Sequence, residues 1–222
     1  MAGSSKKFKK FPFKKAAITI GAIGIIAGSV PVVKRVIDPG EKVVAVIDGD
    51  SFKIGNDQTI RLFGADAPEI KFCYGEESKS ALTKKILGKT VILKELKTDI
   101  YRRVMALVYL DGESINEYMV KNGFAESHRD AGTETDAINL AEEFAKANKL
   151  GIFSPKCYQL SPPNSKCLVK GNITQVGGSK VYFVPGCNHY APTIIEKFKG
   201  EGWFCSESAA KSAGFAKSLE CQ

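Results

Sequence analysis

The carboxylates Asp50, Asp66 and Glu69 and the guanidinium groups of Arg61 and Arg103 carry the chemical content of this 222-residue chain. Asp48-Gly49-Asp50-Ser51 is followed by Arg61, then by Asp66-Ala67-Pro68-Glu69, and further on by Tyr101-Arg102-Arg103. Acids able to hold a hard cation, one more able to take a proton, and arginines able to clamp a phosphate are the components of metal-assisted phosphodiester hydrolysis. Planar guanidinium meets phosphate oxygens in pairs, which an ammonium does not. Each piece taken alone also has an ordinary reading. Asp48-Gly49 is a hairpin turn, Asp50 a solvated turn acid, Arg61 and Arg103 surface residues of strands, and Asp66-x-Pro-Glu a cap for the segment after it.

Short strands and tight turns must bring these groups together. Val43, Val44, Val46 and Ile47 make a first strand; Phe52 and Ile54 alternate with Ser51 and Lys53 in a second. Gly55-Asn56-Asp57 is a hairpin turn, and Ile60, Leu62 and Phe63 make a third strand. Gly75 to Leu87 reads as a helix stopped by Gly88. Val91 with Leu93, and Val104 to Leu110, are the fourth and fifth strands. Ser114-Ile115-Asn116-Glu117 is a capping box that opens a short helix. Thr135 to Lys149 is a longer helix, with Ala137, Leu140, Ala141, Phe144 and Ala147 at helical spacing. The expected fold is α+β, mainly β: a five-stranded OB-type barrel with three helices over residues 41–153. Residues 154–166, with Pro155, Pro162 and Pro163, read as a linker. Residues 167–222 read as a small α+β unit with a strand at Lys180 to Val184 and a helix from about Ser206 to Leu219. A unit of that size cannot rely on core burial alone, so its cysteines are expected to staple it.

The formal charge is +8, but it is unevenly placed. Residues 1–35 hold eight of the 32 Lys and Arg and no acid; the remaining 24 face 24 Asp and Glu. The body is therefore neutral overall, and any nucleic-acid affinity must come from a local patch. The basic run precedes the uncharged stretch Ala16 to Val33, about 27 Å long as a helix, so residues 1–35 read as a transmembrane anchor or a signal peptide. Either places the body outside the cytoplasm. Six cysteines agree with an oxidising compartment. A zinc site from Cys187, His189, Cys205 and Cys221 is the competing use of four of them. By chain order, Cys73 pairs with Cys157, leaving four for the small unit.

Residues 41–153 resemble the staphylococcal nuclease (thermonuclease) family. The matching pieces are Ile47-Asp48-Gly49-Asp50-Ser51, Arg61-Leu62-Phe63-Gly64, Asp66-Ala67-Pro68-Glu69, Asp99-Ile100-Tyr101-Arg102-Arg103 with Ala106-Leu107-Val108-Tyr109, and Asp111-Gly112 with Ser114-Ile115-Asn116. The resemblance implies that Asp50, Asp66 and the carbonyl of Ala67 ligate Ca2+, with Asp48 close behind. It implies Glu69 as general base, Arg61 and Arg103 as the phosphate clamp, and Tyr101 as a substrate contact. It also implies a monomeric calcium-dependent phosphodiesterase acting on DNA and RNA and leaving 3′-phosphates. The chain departs from the family at Arg102, where glycine is common, and in the acidic stretch Glu126 to Asp136, which lacks aromatic residues for stacking a base. His128 reads as solvated.

Two other uses of the same residues compete. One is a non-catalytic OB-type module held at the membrane that binds nucleic acid or protein. The other makes the cysteine-containing unit the functional part, as a cell-surface adhesion or zinc module. Carboxylate, base and arginine positions occurring in one order favour the hydrolase, since a pure binder has no use for Glu69 beside the arginines.

Overall fold

A computed structural model describes residues 40–128, 130–174 and 177–221. The expected anchor or signal helix lies outside the described residues. Among those described, no helix is long and apolar enough to cross a membrane.

A meander of β1 (Glu41–Val46), β2 (Ser51–Ile54) and β3 (Thr59–Leu62) leads to the two-residue strand β4 (Ala65–Asp66) and the helix α1 (Gly75–Ile86). Then come β5 (Thr90–Thr98), β6 (Val104–Leu110), β7 (Glu113–Ser114), α2 (Ile115–Lys121), β8 (Glu126–Ser127) and α3 (Thr135–Ala147). The sheet runs β3-β2-β1-β5-β6-β7, and a parallel β3–β6 pairing closes β1, β2, β3, β5 and β6 into the expected barrel. Alternation along the strands turns Phe52, Ile54, Ile60, Leu62, Val91 and Val108 inward, each almost inaccessible to solvent. Burying a side chain of that size stabilises by roughly 1.5–3 kcal/mol before entropy is counted.

The N-cap half of the capping box forms: Ser114 Oγ accepts from Glu117 N at 3.2 Å, while the Glu117 carboxylate pairs with Lys121. Two residues on, the buried Asn116 donates to the carbonyls of Phe63 and Ala106 at 2.7 and 3.1 Å and accepts from Val108 N at 2.8 Å. One side chain thereby locks α2 onto the end of β3 and the middle of β6, satisfying backbone groups that would otherwise be buried unpaired. In α3 the helical period is as expected but the phase is not. Ile138, Ala141 and Ala145 face inward, whereas Leu140 and Phe144 are exposed. Small alanines let the helix axis approach its neighbours, which Leu140 and Phe144 would hold off.

The remaining elements are β9 (Tyr158–Gln159), β10 (Val169–Ile173), β11 (Lys180–Phe183), β12 (Ile195–Glu196), β13 (Gly202–Phe204), α4 (Glu207–Ser212) and β14 (Ala216–Lys217). One sheet is ordered β13-β10-β11-β14, and β12 pairs with β9. The helix expected to run to about Leu219 ends at Ser212. Gly214, at φ 85°, stops it, Phe215 turns into a core with Val169, Tyr182 and Ala210, and Ala216–Lys217 joins β11 as a strand. Of the alanines in this segment, Ala210 is buried in that core and Ala209 and Ala213 are exposed.

The disulfides are Cys73–Cys157, Cys167–Cys205 and Cys187–Cys221. The first is the pairing suggested by chain order. No cysteine is left free, which removes the thiolates that the zinc reading needed. Three disulfides also point to an oxidising, extracytoplasmic environment.

Candidate active site

The site is assembled from the turn entering β2, the middle of β3 and the loop leaving β4. Asp50, 2% exposed, is held on every side. Its Oδ1 accepts from Ser51 Oγ at 2.7 Å and from Arg61 Nη1; its Oδ2 accepts from Ala67 N at 2.8 Å. Asp48 Oδ1 accepts from Asp50 N at 3.0 Å, closing the turn. Arg61 pairs across the strands with Ser51, which aims its guanidinium along the same line, and its Nη2 donates to Asp66 Oδ1. One arginine thus bridges the two acids expected to be metal ligands. Burial pushes the Asp50 carboxyl up to about 7 against the attraction of Arg61, and the nearby Asp48 adds to the rise.

Arg103 reaches the site from the loop between β5 and β6. Asp99 shapes that loop: its Oδ1 accepts from Tyr101 N at 2.9 Å and Arg103 N at 2.8 Å, and its Oδ2 from Arg103 Nε at 2.7 Å. The hydrogen bond to Asp99 raises the Arg103 pKa, and the fields of Asp50 and Asp66 add to it. Desolvation pushes the Asp99 carboxyl upward, but the donors on Arg103 and Tyr101 outweigh it and hold it low. The Arg103 guanidinium lies 5.3 Å from the centre of the exposed Tyr101 ring. Arg102 sits at φ 62°, a left-handed conformation, which is the physical reason glycine suits that position.

Two clefts meet at Asp66. The larger, about 480 Å³, is lined by Arg61, Asp66, Asp99, Tyr101, Arg103 and His128. The smaller, about 150 Å³, is lined by Asp66, Ala67, Glu69, Phe72, Glu126 and Lys199. The two arginines therefore share one cleft, while the exposed Glu69 stands on the other side of Asp66. The Glu69 loop is pressed onto the start of α1, where a Cβ on Gly75 would come 2.2 Å from the Glu69 carbonyl oxygen. Only glycine permits that approach.

Four residues at the site lie outside the set expected from the sequence. Asp99 carried a signal in its i, i+4 spacing to Arg103. His128, read as solvated, is exposed but lines the larger cleft. Glu126 is brought to Asp66 by the antiparallel β4–β8 pair, which matches Asp66 with Glu126. Lys199 arrives from the C-terminal unit, and no local pattern announces it.

The donor set suits a hard cation. Asp50, Asp66 and the Ala67 carbonyl offer only oxygen, the donor type that a hard cation takes. Among the described residues, no group of three or more His, Cys, Asp or Glu side chains is arranged to hold a metal ion. Any further ligands would have to be carbonyl, water or substrate oxygens.

Residues 59–155 match the family model described as staphylococcal nuclease homologue. An uncharacterized endonuclease of Escherichia coli is 32% identical over 117 residues, covering 51% of this chain and 76% of that protein. An uncharacterized endonuclease of Haemophilus influenzae is 35% identical over 118 residues, 51% of this chain and 65% of that protein. Protein ParB of Escherichia coli is 30% identical over 126 residues, 51% of this chain and 71% of its own length.

Proposed function

The chain belongs to the staphylococcal nuclease homologue family, and we propose that it is a calcium-dependent nuclease hydrolysing phosphodiester bonds in DNA, RNA or both. The observation that carries this reading is the bridging of Asp50 and Asp66 by Arg61 at the junction of two clefts, one holding Arg103 and the other Glu69.

In this mechanism the scissile phosphate lies over Asp66, with Arg61 and Arg103 donating to its non-bridging oxygens from the larger cleft. Glu69 approaches from the opposite side and takes a proton from the attacking water. The water oxygen forms its bond to phosphorus as the bond to the 5′ oxygen breaks; the departing 5′ oxygen takes a proton from solvent water and Glu69 later returns its own to solvent, giving a 3′-phosphate and a 5′-hydroxyl. Charge that builds on the phosphate is met by two guanidinium groups, the larger part of catalysis in phosphoryl transfer. Asp50, Asp66 and the Ala67 carbonyl would hold Ca2+, which when bound supplies further charge stabilisation. Asp48 keeps the Asp50 turn in place, Asp99 orients Arg103, and Tyr101 meets a neighbouring phosphate.

We assign this chemistry to residues 41–153, with 154–166 connecting them to the unit at 167–222. Residues 1–35 would direct the protein across the membrane, leaving it anchored or released. The test is digestion of single-stranded DNA and of RNA by the protein with added calcium or with a chelator. Calcium-dependent shortening is expected. Binding without cleavage of either polymer would replace the hydrolase with a binding module.

A further inference from the structure

The C-terminal unit places one of its side chains in the cleft of Glu69. Lys199, at the end of the turn Lys197–Lys199, donates Nζ to Glu126 at 2.8 Å and to Glu196 at 2.9 Å. All three side chains are roughly a quarter exposed, at 28, 25 and 23%. Glu126 is the cross-strand partner of Asp66. A single ammonium therefore joins the unit after Cys167 to β8, the strand paired with the one that carries Asp66.

The turn that presents Lys199 is rigidly held. Lys197 N donates to Cys157 O at 2.8 Å, and Phe198 is buried with its ring edge-on to Phe153 at 6.1 Å. Glu201, itself buried, accepts from Glu196 N at 2.8 Å, Ile173 N at 2.9 Å and Asn172 Nδ2 at 2.6 Å, fixing β12 against β10. Gly200 runs so close to Phe72, three residues after Glu69, that a Cβ there would come 2.6 Å from the ring. The Cys73–Cys157 disulfide closes the same loop from its other end.

We propose that Lys199 is a positioning residue of the nuclease site, holding β8 and the Asp66–Phe72 loop so that Glu69 meets the substrate in register. The proposal rests on the nuclease reading above. With its charge shared by two carboxylates, Lys199 is not placed to grip a phosphate. Without it, Glu126 and Glu196 face each other beside Asp66, and like charges at that range push the strand and loop apart. Displacement of a catalytic group by about 1 Å can cost about 10²-fold in rate. Loss of a residue supporting a site from behind typically costs about 10- to 100-fold.

The experiment compares the full chain with K199M, K199R and K197M, the last altering the exposed lysine of the same turn. Calcium-supported cleavage of single-stranded DNA is measured as kcat and KM, and amide hydrogen exchange is followed over residues 66–72 and 126–127. K199M should lower kcat about tenfold or more with KM within about twofold, and should speed exchange in both segments. K199R should restore both readings, and K197M should match the wild type. A K199M kcat within about twofold of an active wild type would overturn the proposal, as would unchanged exchange. If the wild type cleaves nothing, the nuclease reading fails, and the exchange comparison by itself decides whether Lys199 holds the loop.

Discussion

Arg61 donates to the buried carboxylate of Asp50, so a group expected to grip phosphate and a group expected to hold a cation are in direct contact. The same guanidinium reaches Asp66 with its other nitrogen. Electrostatically the three form one unit: two acids that would repel each other are held side by side by a planar cation whose fork fits both. Substrate and cation must divide these partners between them.

This contact separates the two simplest variants. Glu69→Gln should reduce cleavage about 10²- to 10⁴-fold, the usual contribution of a general base, while the melting temperature stays near that of the wild type because Glu69 is exposed. Arg61→Ala should reduce cleavage about 10³-fold or more and should also lower stability, by about 1–3 kcal/mol, since it leaves Asp50 buried without its cation. Steady-state cleavage and thermal melting on the same samples check both. Near-wild-type turnover in either variant would sink the mechanism.

Asp99 acts through Arg103. Asp99→Ala removes the acceptor that holds the loop amides and the guanidinium, and should cost about tenfold or more in kcat/KM for single-stranded DNA. A double-mutant cycle with Arg103→Ala should show the two losses to be strongly non-additive. Simple addition of the two would mean that Asp99 supports the fold and not the arginine.

The Cys73–Cys157 bridge spans 84 residues and anchors the chain directly after the Glu69 loop. Replacing both cysteines by serine should lower stability by about 2–4 kcal/mol, most of it through the unfolded chain. Melting of the double variant beside the wild type under oxidising conditions measures it. A change below about 0.5 kcal/mol would contradict the assignment.

Glu201 supplies a pH test within the C-terminal unit. Burial, opposed by the amides of Glu196 and Ile173, pushes its carboxyl up to about 7 from the ordinary 4.5. Between those values the folded protein holds a proton that the unfolded chain has released, so this group's contribution to stability falls as pH rises from about 4.5 to about 7 and is level above. Glu201→Gln should remove that part of the slope. It should also cost about 1–3 kcal/mol at acid pH, because an amide cannot accept from donors on both of its ends. Denaturant titrations at pH 5, 6, 7 and 8 resolve the two effects, and an unaltered slope in the variant would refute the assignment.

The sequence by itself determined the chemical groups and the order of the elements around them. Period-two alternation, the turn at Gly55-Asn56-Asp57 and the capping box at Ser114 are written in neighbouring residues, so the five strands and three helices of the barrel were legible. Only the tertiary structure decided how the groups divide. Helical spacing in α3 specifies a period but not which stripe faces inward, and packing chose Ile138, Ala141 and Ala145. The role of Asn116 depends on carbonyls of two other strands. Barrel closure and the β4–β8 pair decided that Arg61 bridges Asp50 and Asp66, that Glu69 and Arg103 face different clefts, and that Lys199 stands at Glu126. Those contacts join residues distant along the chain, and such a contact leaves no periodic trace in the segments that make it.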